Sequence, residues 1–219
     1  MRLTLPRLYA ILDIDLLFSR QLQPLDVLDA WLACGVRLVQ LRAKSLTMGP
    51  MLEVTESVLI RAAAAGARLF VNDRADVARL AGAGGVHLGQ TDLSPGEART
   101  ILLPEQLIGL STHNIAQVQA ALESQPSADY LAIGPVSVTS TKARPDPVVG
   151  LVGVREASAL TKRAGKPLVA IGGITLESAP QIIASGADSV AVISDLLTDD
   201  WRTRAAHFLR ALHETRGTV

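Results

Sequence analysis

The chain has 219 residues, and Lys plus Arg equals Asp plus Glu at 21 each, so its formal charge is zero. That balance offers no basic face for nucleic acid or for an anionic membrane surface. Apolar residues make up 48% of the chain and aromatic ones only 3%, so Ala, Val, Leu and Ile must build the core, which suits layered α/β packing.

Met1 to Pro6 carries no signal-peptide pattern, and no apolar run reaches the roughly 18 residues a membrane helix needs. The expectation is a soluble, cytoplasmic protein. Leu8 to Leu12 predicts a first strand ending in Asp13. Pro24 opens a helix to about Ala33, stopped by Gly35. The single cysteine, Cys34, cannot form an internal disulfide and is expected as a small core residue there. Val36 to Arg42 reads as the second strand. Thr47 can cap a helix to Ala65, closed by Gly66. Ala67 to Val71 is the third strand, handing directly to Asn72, Asp73 and Arg74. A short helix follows, with Ala75, Val77, Ala78 and Leu80 as its apolar face.

Val86 to Leu88 predicts a fourth, very short strand, followed by Gly89, Gln90, Thr91 and Asp92. Ser94-Pro95-Gly96-Glu97 has the pattern of a capping box with Pro at the first helical position. Leu107 to Leu110 is the fifth strand, then Ser111, Thr112 and His113, then a helix from Asn114 to Leu122. Tyr130 to Ile133 is the sixth strand, broken by Gly134-Pro135. A helix from about Val152 to Arg163 precedes the seventh strand, Pro167 to Ile171, which ends in Gly172-Gly173-Ile174. Thr175 is expected to cap the next helix, which closes near Gly186. Ser189 to Val192 is the eighth strand, with Ile193 and Ser194 opening the next helical segment, and the last helix spans about Asp200 to Leu212. Trp31 and Trp201 are expected on outer helices, as packing residues or a subunit contact.

Eight strand–helix units follow one another with no linker between them. Strict alternation implies a parallel sheet with helices outside, and eight units imply a single (β/α)8 TIM-barrel domain over residues 1–219. An open doubly wound sheet is the alternative, but no Gly-x-Gly-x-x-Gly follows the first strand. Polar residues follow the strands: Asp13; Gln40, Arg42 and Lys44; Asn72 and Asp73; Gln90 and Asp92; Ser111 and His113; Thr139, Ser140, Thr141 and Lys142; Gly172 and Gly173; Ile193 and Ser194. In a barrel these ends surround one mouth, where active sites lie.

The residue types suggest two anion sites. Hydroxyls, backbone N–H groups and Lys142 in residues 139–142 make a cradle for phosphate oxygens. Asp73 and Asp92, two carboxylates near the cations Arg42, Lys44 and Lys142, suit Mg²⁺ held by one or two carboxylates, waters and phosphate. Gly173, Ile193 and Ser194 mark the strand 7 and 8 ends, where barrels often bind phosphate. Two phosphorylated small-molecule substrates, one a diphosphate, would fit.

The runs Gln40-Leu41-Arg42-Ala43-Lys44, Val71-Asn72-Asp73, His87-Leu88-Gly89-Gln90-Thr91-Asp92, Thr139-Ser140-Thr141-Lys142, Ile171-Gly172-Gly173-Ile174 and Val192-Ile193-Ser194 together resemble the thiamine-phosphate synthase family. The resemblance covers nearly the whole chain. It implies a transferase of thiamine biosynthesis that joins a hydroxymethyl-aminopyrimidine diphosphate to a hydroxyethylthiazole phosphate. It assigns the stretch from Gln40 through Leu41, Arg42 and Ala43 to Lys44, with Asn72, Ser111 and Lys142, to the pyrimidine diphosphate. It assigns Asp73 and Asp92 to Mg²⁺, and Thr139, Ser140, Thr141, Gly173, Ile193 and Ser194 to the thiazole phosphate. Lys142, Arg42 and Lys44 would carry the catalytic charge. The chain departs from the family at Ala43, where Glu is usual; by strand alternation this residue points away from the mouth. A sister group isomerises the thiazole precursor with a His at the position of His113, and a non-catalytic binder of thiamine intermediates is the third reading. Asp92 and Lys142 favour the synthase. His87 is read as structural, and the sequence leaves room for a homo-oligomer.

Overall fold

The computed structural model describes residues 3–138, 146–198 and 200–214. Eight parallel strands close into a barrel: β1 (Leu8–Asp13), β2 (Leu38–Arg42), β3 (Arg68–Asn72), β4 (Gly85–Leu88), β5 (Leu107–Thr112), β6 (Tyr130–Ile133), β7 (Leu168–Ile171) and β8 (Ser189–Val192). Their order in the barrel is their order in sequence, and β1 pairs with both β2 and β8. That closure replaces the open-sheet alternative. The outer ring is α1 (Ile14–Ser19), α2 (Pro24–Cys34), α3 (Met48–Ala64), α4 (Ala75–Ala81), α5 (Pro95–Ile101), α6 (Ile115–Glu123), α7 (Gly150–Arg163), α8 (Ala179–Ala184) and α9 (Trp201–Glu214). A single 3-10 turn, Ser194–Leu197, follows β8. Among the described residues, no helix is long and apolar enough to cross a membrane.

Period-two alternation divides each strand between two cores. Outward residues such as Leu8, Ala10, Val39, Leu41, Val71, Val86, Ile108 and Val190 pack beneath the helices. Inward residues form a separate cluster in the barrel interior, with Tyr9, Ile11, Leu38, Phe70, Tyr130, Ala132, Val169 and Ala191. Interior space is tight. A side chain at Gly109 on β5 would overlap the Tyr130 ring and His87, so glycine is required there by close approach.

Local signals place most helix ends. Gly35 is left-handed after α2. Ser94 and Glu97 form the expected capping box at α5. Asn114 caps α6 through Gln117 N–H at 2.9 Å. Four expectations are corrected. α1 lies where the sequence pattern predicts no helix; Asp13 caps it by accepting from Leu16 N–H at 3.0 Å. Leu80 is 59% exposed, and Ala75, Val77 and Ala78 alone form the buried face of α4. Thr175 does not cap α8; it exchanges hydrogen bonds with Ser178 in a turn, and the helix starts at Ala179. Cys34 is half-buried, its thiol 3.4 Å from the Arg202 carbonyl. Trp31 is fully buried and serves packing, and its indole N–H lacks a partner among the described residues. Trp201 is largely buried beneath the Arg202 guanidinium, 4.1 Å from the ring centroid.

Candidate active site at the mouth of the barrel

The inward positions nearest the carboxyl ends of β2 to β5 are Arg42, Asn72, His87 and Ser111, with Gln40 one step deeper on β2. With the loops that follow, they line one cavity of about 440 Å³. Gln40, Arg42, Lys44, Asn72, Asp73, Asp92, Ser111, Gly173, Ile193 and Ser194 all reach it. Leu41 and Ala43 do not: their side chains are buried outward, in the layer between sheet and helices. Any part they take in binding falls to their backbone. Thr139, Ser140, Thr141 and Lys142 lie outside the described residues.

Asp73 and Asp92 meet across the β3 and β4 ends. Asp73 follows β3 with φ at 63°, a left-handed conformation that Asp tolerates better than most residues. Its N–H donates to the His87 carbonyl at 2.8 Å, which ties the turn to β4. Asp92 folds back onto its own loop, accepting from Gly89 N–H at 2.6 Å. The two carboxylates lie within hydrogen-bonding reach of each other. Burial, and then the adjacent Asp92 carboxylate, push the Asp73 carboxyl above its ordinary range; Lys44, at 3.3 Å, opposes this.

Arg42 is held at the rim by Asp13, with Nη1 to Oδ2 at 2.5 Å and Asp13 buried. Asp13 is therefore not a mouth residue in its own right but the anchor of one. Lys44 and Arg42 are the described cations of the lining, against the carboxylates of Asp73, Asp92 and Asp146. A diphosphate would meet repulsion here unless further positive charge joined it. An oxygen donor pair that already repels itself is what a hard divalent cation suits, and Mg²⁺ takes one or two carboxylates, waters and phosphate oxygens. Among the described residues no group of three or more His, Cys, Asp or Glu forms a fuller cage. The residues present fit Mg²⁺.

Beneath these charges runs a chain of side-chain hydrogen bonds. Gln40 Nε2 donates to the Tyr9 hydroxyl at 3.1 Å, and the Tyr9 and Tyr130 hydroxyls are 3.0 Å apart. Tyr130 meets His87 Nδ1 at 2.9 Å, and His87 Nε2 meets Ser111 Oγ at 2.9 Å. Burial holds the imidazole neutral, its pKa lowered to about 4 although Asp92 pulls the other way. Burial raises both phenols as well. His113 also lines the cavity; its Nδ1 contacts the Gly134 carbonyl at 2.8 Å and lies 3.5 Å from Asp146.

The far side, after β6 to β8, is built from backbone. Val136 N–H donates to the Ile171 carbonyl at 2.9 Å and Ser137 N–H to Gly172 at 3.0 Å. Gly173 has φ at 65°, and a side chain there would press on the Ser137 and Val138 backbone. Asp195 joins two of these loops. Its carboxylate accepts from Leu176 N–H after β7 at 3.0 Å, while the Arg204 guanidinium on α9 grips it at 3.0 and 3.2 Å.

Sequence reading missed Tyr9, Tyr130, Asp146 and Asp195. The tyrosines had a usable signal: they are the chain's only two, and both fall at inward positions of strands.

Against this geometry, the signature of the family described as thiamine monophosphate synthase matches residues 8–196. The chain belongs to that family. Among curated members, the thiamine-phosphate synthase of Koribacter versatilis is 46% identical over 222 residues, 96% of this chain and 98% of that protein. That of Thermus thermophilus is 43% identical over 186 residues, 85% of this chain and 87% of that protein. Among solved structures, the thiamine phosphate pyrophosphorylase of Pyrococcus furiosus superposes with a TM-score of 0.82 at 30% identity, covering 96% of this chain and 97% of that one. A 3-hexulose-6-phosphate synthase, at 16% identity and a TM-score of 0.62, shares the fold alone.

Proposed function

We propose that the protein condenses hydroxymethyl-aminopyrimidine diphosphate with hydroxyethylthiazole phosphate, giving thiamine phosphate and diphosphate. The carrying observation is the convergence of the Asp73–Asp92 pair, Lys44, Arg42, Gln40 and Ser111 on one cavity, in a chain of this family. The C–O bond between the pyrimidine methylene and the diphosphate breaks, and its electron pair leaves with the diphosphate. The electron-rich aminopyrimidine stabilises the methylene cation. The thiazole nitrogen lone pair then forms the new C–N bond.

No side-chain nucleophile is required, so the protein contributes charge and alignment. Arg42, braced by Asp13, and Lys44 face the leaving group, and by the resemblance Lys142 joins them. Mg²⁺ on Asp73 and Asp92 would supply the remaining positive charge. Gly173, Ile193 and Ser194 would seat the thiazole phosphate, together with Thr139, Ser140 and Thr141. Gln40, Asn72 and Ser111 would hold the pyrimidine ring.

The test mixes both substrates with and without Mg²⁺ and follows thiamine phosphate and diphosphate together. Equal release of both, dependent on Mg²⁺, is expected. Isomerisation of a thiazole precursor without condensation would instead assign the site to His113 chemistry, and ligand binding without turnover would make the protein a binder.

A further inference from the structure

β2 runs beside β1, and their register sets Asp13 against Arg42. Two residues further on the chains have parted. Ile14 has entered α1, while Lys44 runs on into the loop before α3. The ladder no longer serves the Lys44 N–H, and a backbone donor needs a partner. Asp15 takes the ladder's place. Its Oδ2 accepts from Lys44 N–H at 3.0 Å, and its Oδ1 accepts from the Ser45 hydroxyl. An acid in the first turn of a helix ordinarily serves that helix's own N-terminus. Here Asp13 does the capping, and both Asp15 oxygens reach across to the β2 loop.

That hold matters because of what surrounds Lys44. Its side chain is 57% exposed. It borders the main cavity of about 440 Å³ and also a second one of about 180 Å³, walled by Ala43, Leu46, Met51 and Arg74 as well. Asp73 borders both cavities too. The Lys44–Asp73 contact at 3.3 Å therefore does not by itself keep the ammonium on the side of the leaving group. A flexible four-carbon stem with space on two flanks takes its direction from where its backbone is fixed.

We propose that Asp15 is a positioning residue: by fixing the Lys44 backbone it aims the Lys44 ammonium into the main cavity, at the departing diphosphate. This rests on the reaction proposed above. Asp15 does not line that cavity, so its effect passes through Lys44. Two acids at one strand-to-helix junction then divide the work, Asp13 holding the side chain of one cation and Asp15 the backbone of the other. Geometry and charge can be separated by Asp15→Asn. Its amide oxygen still accepts from Lys44 N–H, and its amide N–H donates to the Ser45 oxygen, so both links survive without the negative charge.

The experiment measures the Kd of inorganic diphosphate, with Mg²⁺ present, for wild type, Asp15→Ala, Lys44→Ala and the double variant. No turnover is needed, so a slow Lys44→Ala protein still gives an answer. Asp15→Ala is expected to weaken binding about five- to tenfold in the wild-type background and less than about twofold in the Lys44→Ala background, the non-additivity of two residues acting through one contact. Asp15→Asn should stay within about threefold of wild type, because both hydrogen bonds remain. In condensation assays Asp15→Ala should lower kcat/KM for the pyrimidine diphosphate about tenfold and leave KM for the thiazole phosphate within about twofold, the mark of a misplaced group on one side only. Equal losses in both backgrounds, or none, overturn the inference, and so does Asp15→Asn as damaging as Asp15→Ala. Should Asp15→Ala not fold, Ser45→Ala replaces it in the same two backgrounds, with a loss of about two- to threefold expected only where Lys44 is present; no such difference overturns the inference. Wild type that binds diphosphate but condenses nothing overturns the proposed reaction, while the Kd values still decide whether Asp15 aims Lys44.

Discussion

Two sides of one mouth are built by different means. From β2 to β5 the surface is made of side chains: Gln40, Arg42, Asn72, Asp73, Asp92 and Ser111, with Gln40, Arg42, Asp73, Asp92 and Ser111 held by another side chain or a turn. From β6 to β8 it is made of backbone, with Gly172 and Gly173 lying against Pro135 to Val138 and two loops joined through Asp195. The first side can be altered one chemical group at a time. The second fails as a shape, because moving one peptide moves its neighbours. The proposed reaction would use such a division, with varied polarity for a ring and a diphosphate on one side and a simple backbone nest for a monophosphate on the other.

The sharpest way to break this comparison is at the carboxylate pair. Asp92→Ala should lower kcat about 10²- to 10³-fold, the range seen when one electrostatic contact to developing charge is lost, and should abolish any Mg²⁺-induced rise in thermal stability. An unchanged Mg²⁺ response would place the cation elsewhere.

Gly173→Ala tests the backbone side. The left-handed φ and the nearby Ser137 carbonyl both oppose a side chain, so a stability loss of about 1–3 kcal/mol is expected. KM for the thiazole phosphate should rise several-fold or more, while KM for the pyrimidine diphosphate stays within twofold. A parallel rise in both KM values would mean the two sides are not separable.

His87 gives the comparison a pH signature. Its folded pKa of about 4 lies below the ordinary histidine value of 6.5. Below pH 6.5 the unfolded chain binds a proton that the native ring refuses, so stability falls as pH drops from 6.5 towards 4. The loss is on the order of 3 kcal/mol. Asp73 runs the other way: its raised folded pKa means a stabilising contribution at low pH that is lost as pH rises through that value. Urea unfolding between pH 4 and 7 should therefore show a steeper decline on acidification in wild type than in His87→Gln.

The smallest effect is expected at the Asp195 brace. Asp195→Ala frees Leu176 N–H and releases Arg204. Steady-state kinetics should show about a three- to tenfold rise in KM for the thiazole phosphate, equivalent to roughly 1 kcal/mol, with kcat near wild type. A fall in kcat at unchanged KM would contradict a role in seating that phosphate.

Much of the fold was legible because each strand is a short β-branched or leucine run, and each helix carries its own punctuation at Gly35, Ser94 or Asn114. α1 escaped because Ile14 to Ser19 follows β1 without a break, and its only start signal, Asp13, reads equally well as a strand-end acid. Thr175 misled because its hydroxyl does accept from the N–H three residues on, as a cap would, but that residue is Ser178 and the exchange closes a turn ahead of the helix. In the site, charged residues at strand ends were legible because charge in that position lacks an apolar explanation. Tyr9 and Tyr130 were not, since a tyrosine within an apolar strand reads as core. Only barrel closure brings β1 and β6 close enough for the two hydroxyls to meet.

Asp73 occupies a backbone conformation that most side chains adopt at a cost, and that Gly, Asn and Asp visit readily. Substitution at this position is therefore least strained for Gly or Asn, and of the three easy residues only one is an anion. Asp73→Asn would retain the turn while discarding the charge. If Asp73 holds the cation as proposed, Asn here, in an otherwise intact barrel, would keep the shape of the mouth and lose the reaction.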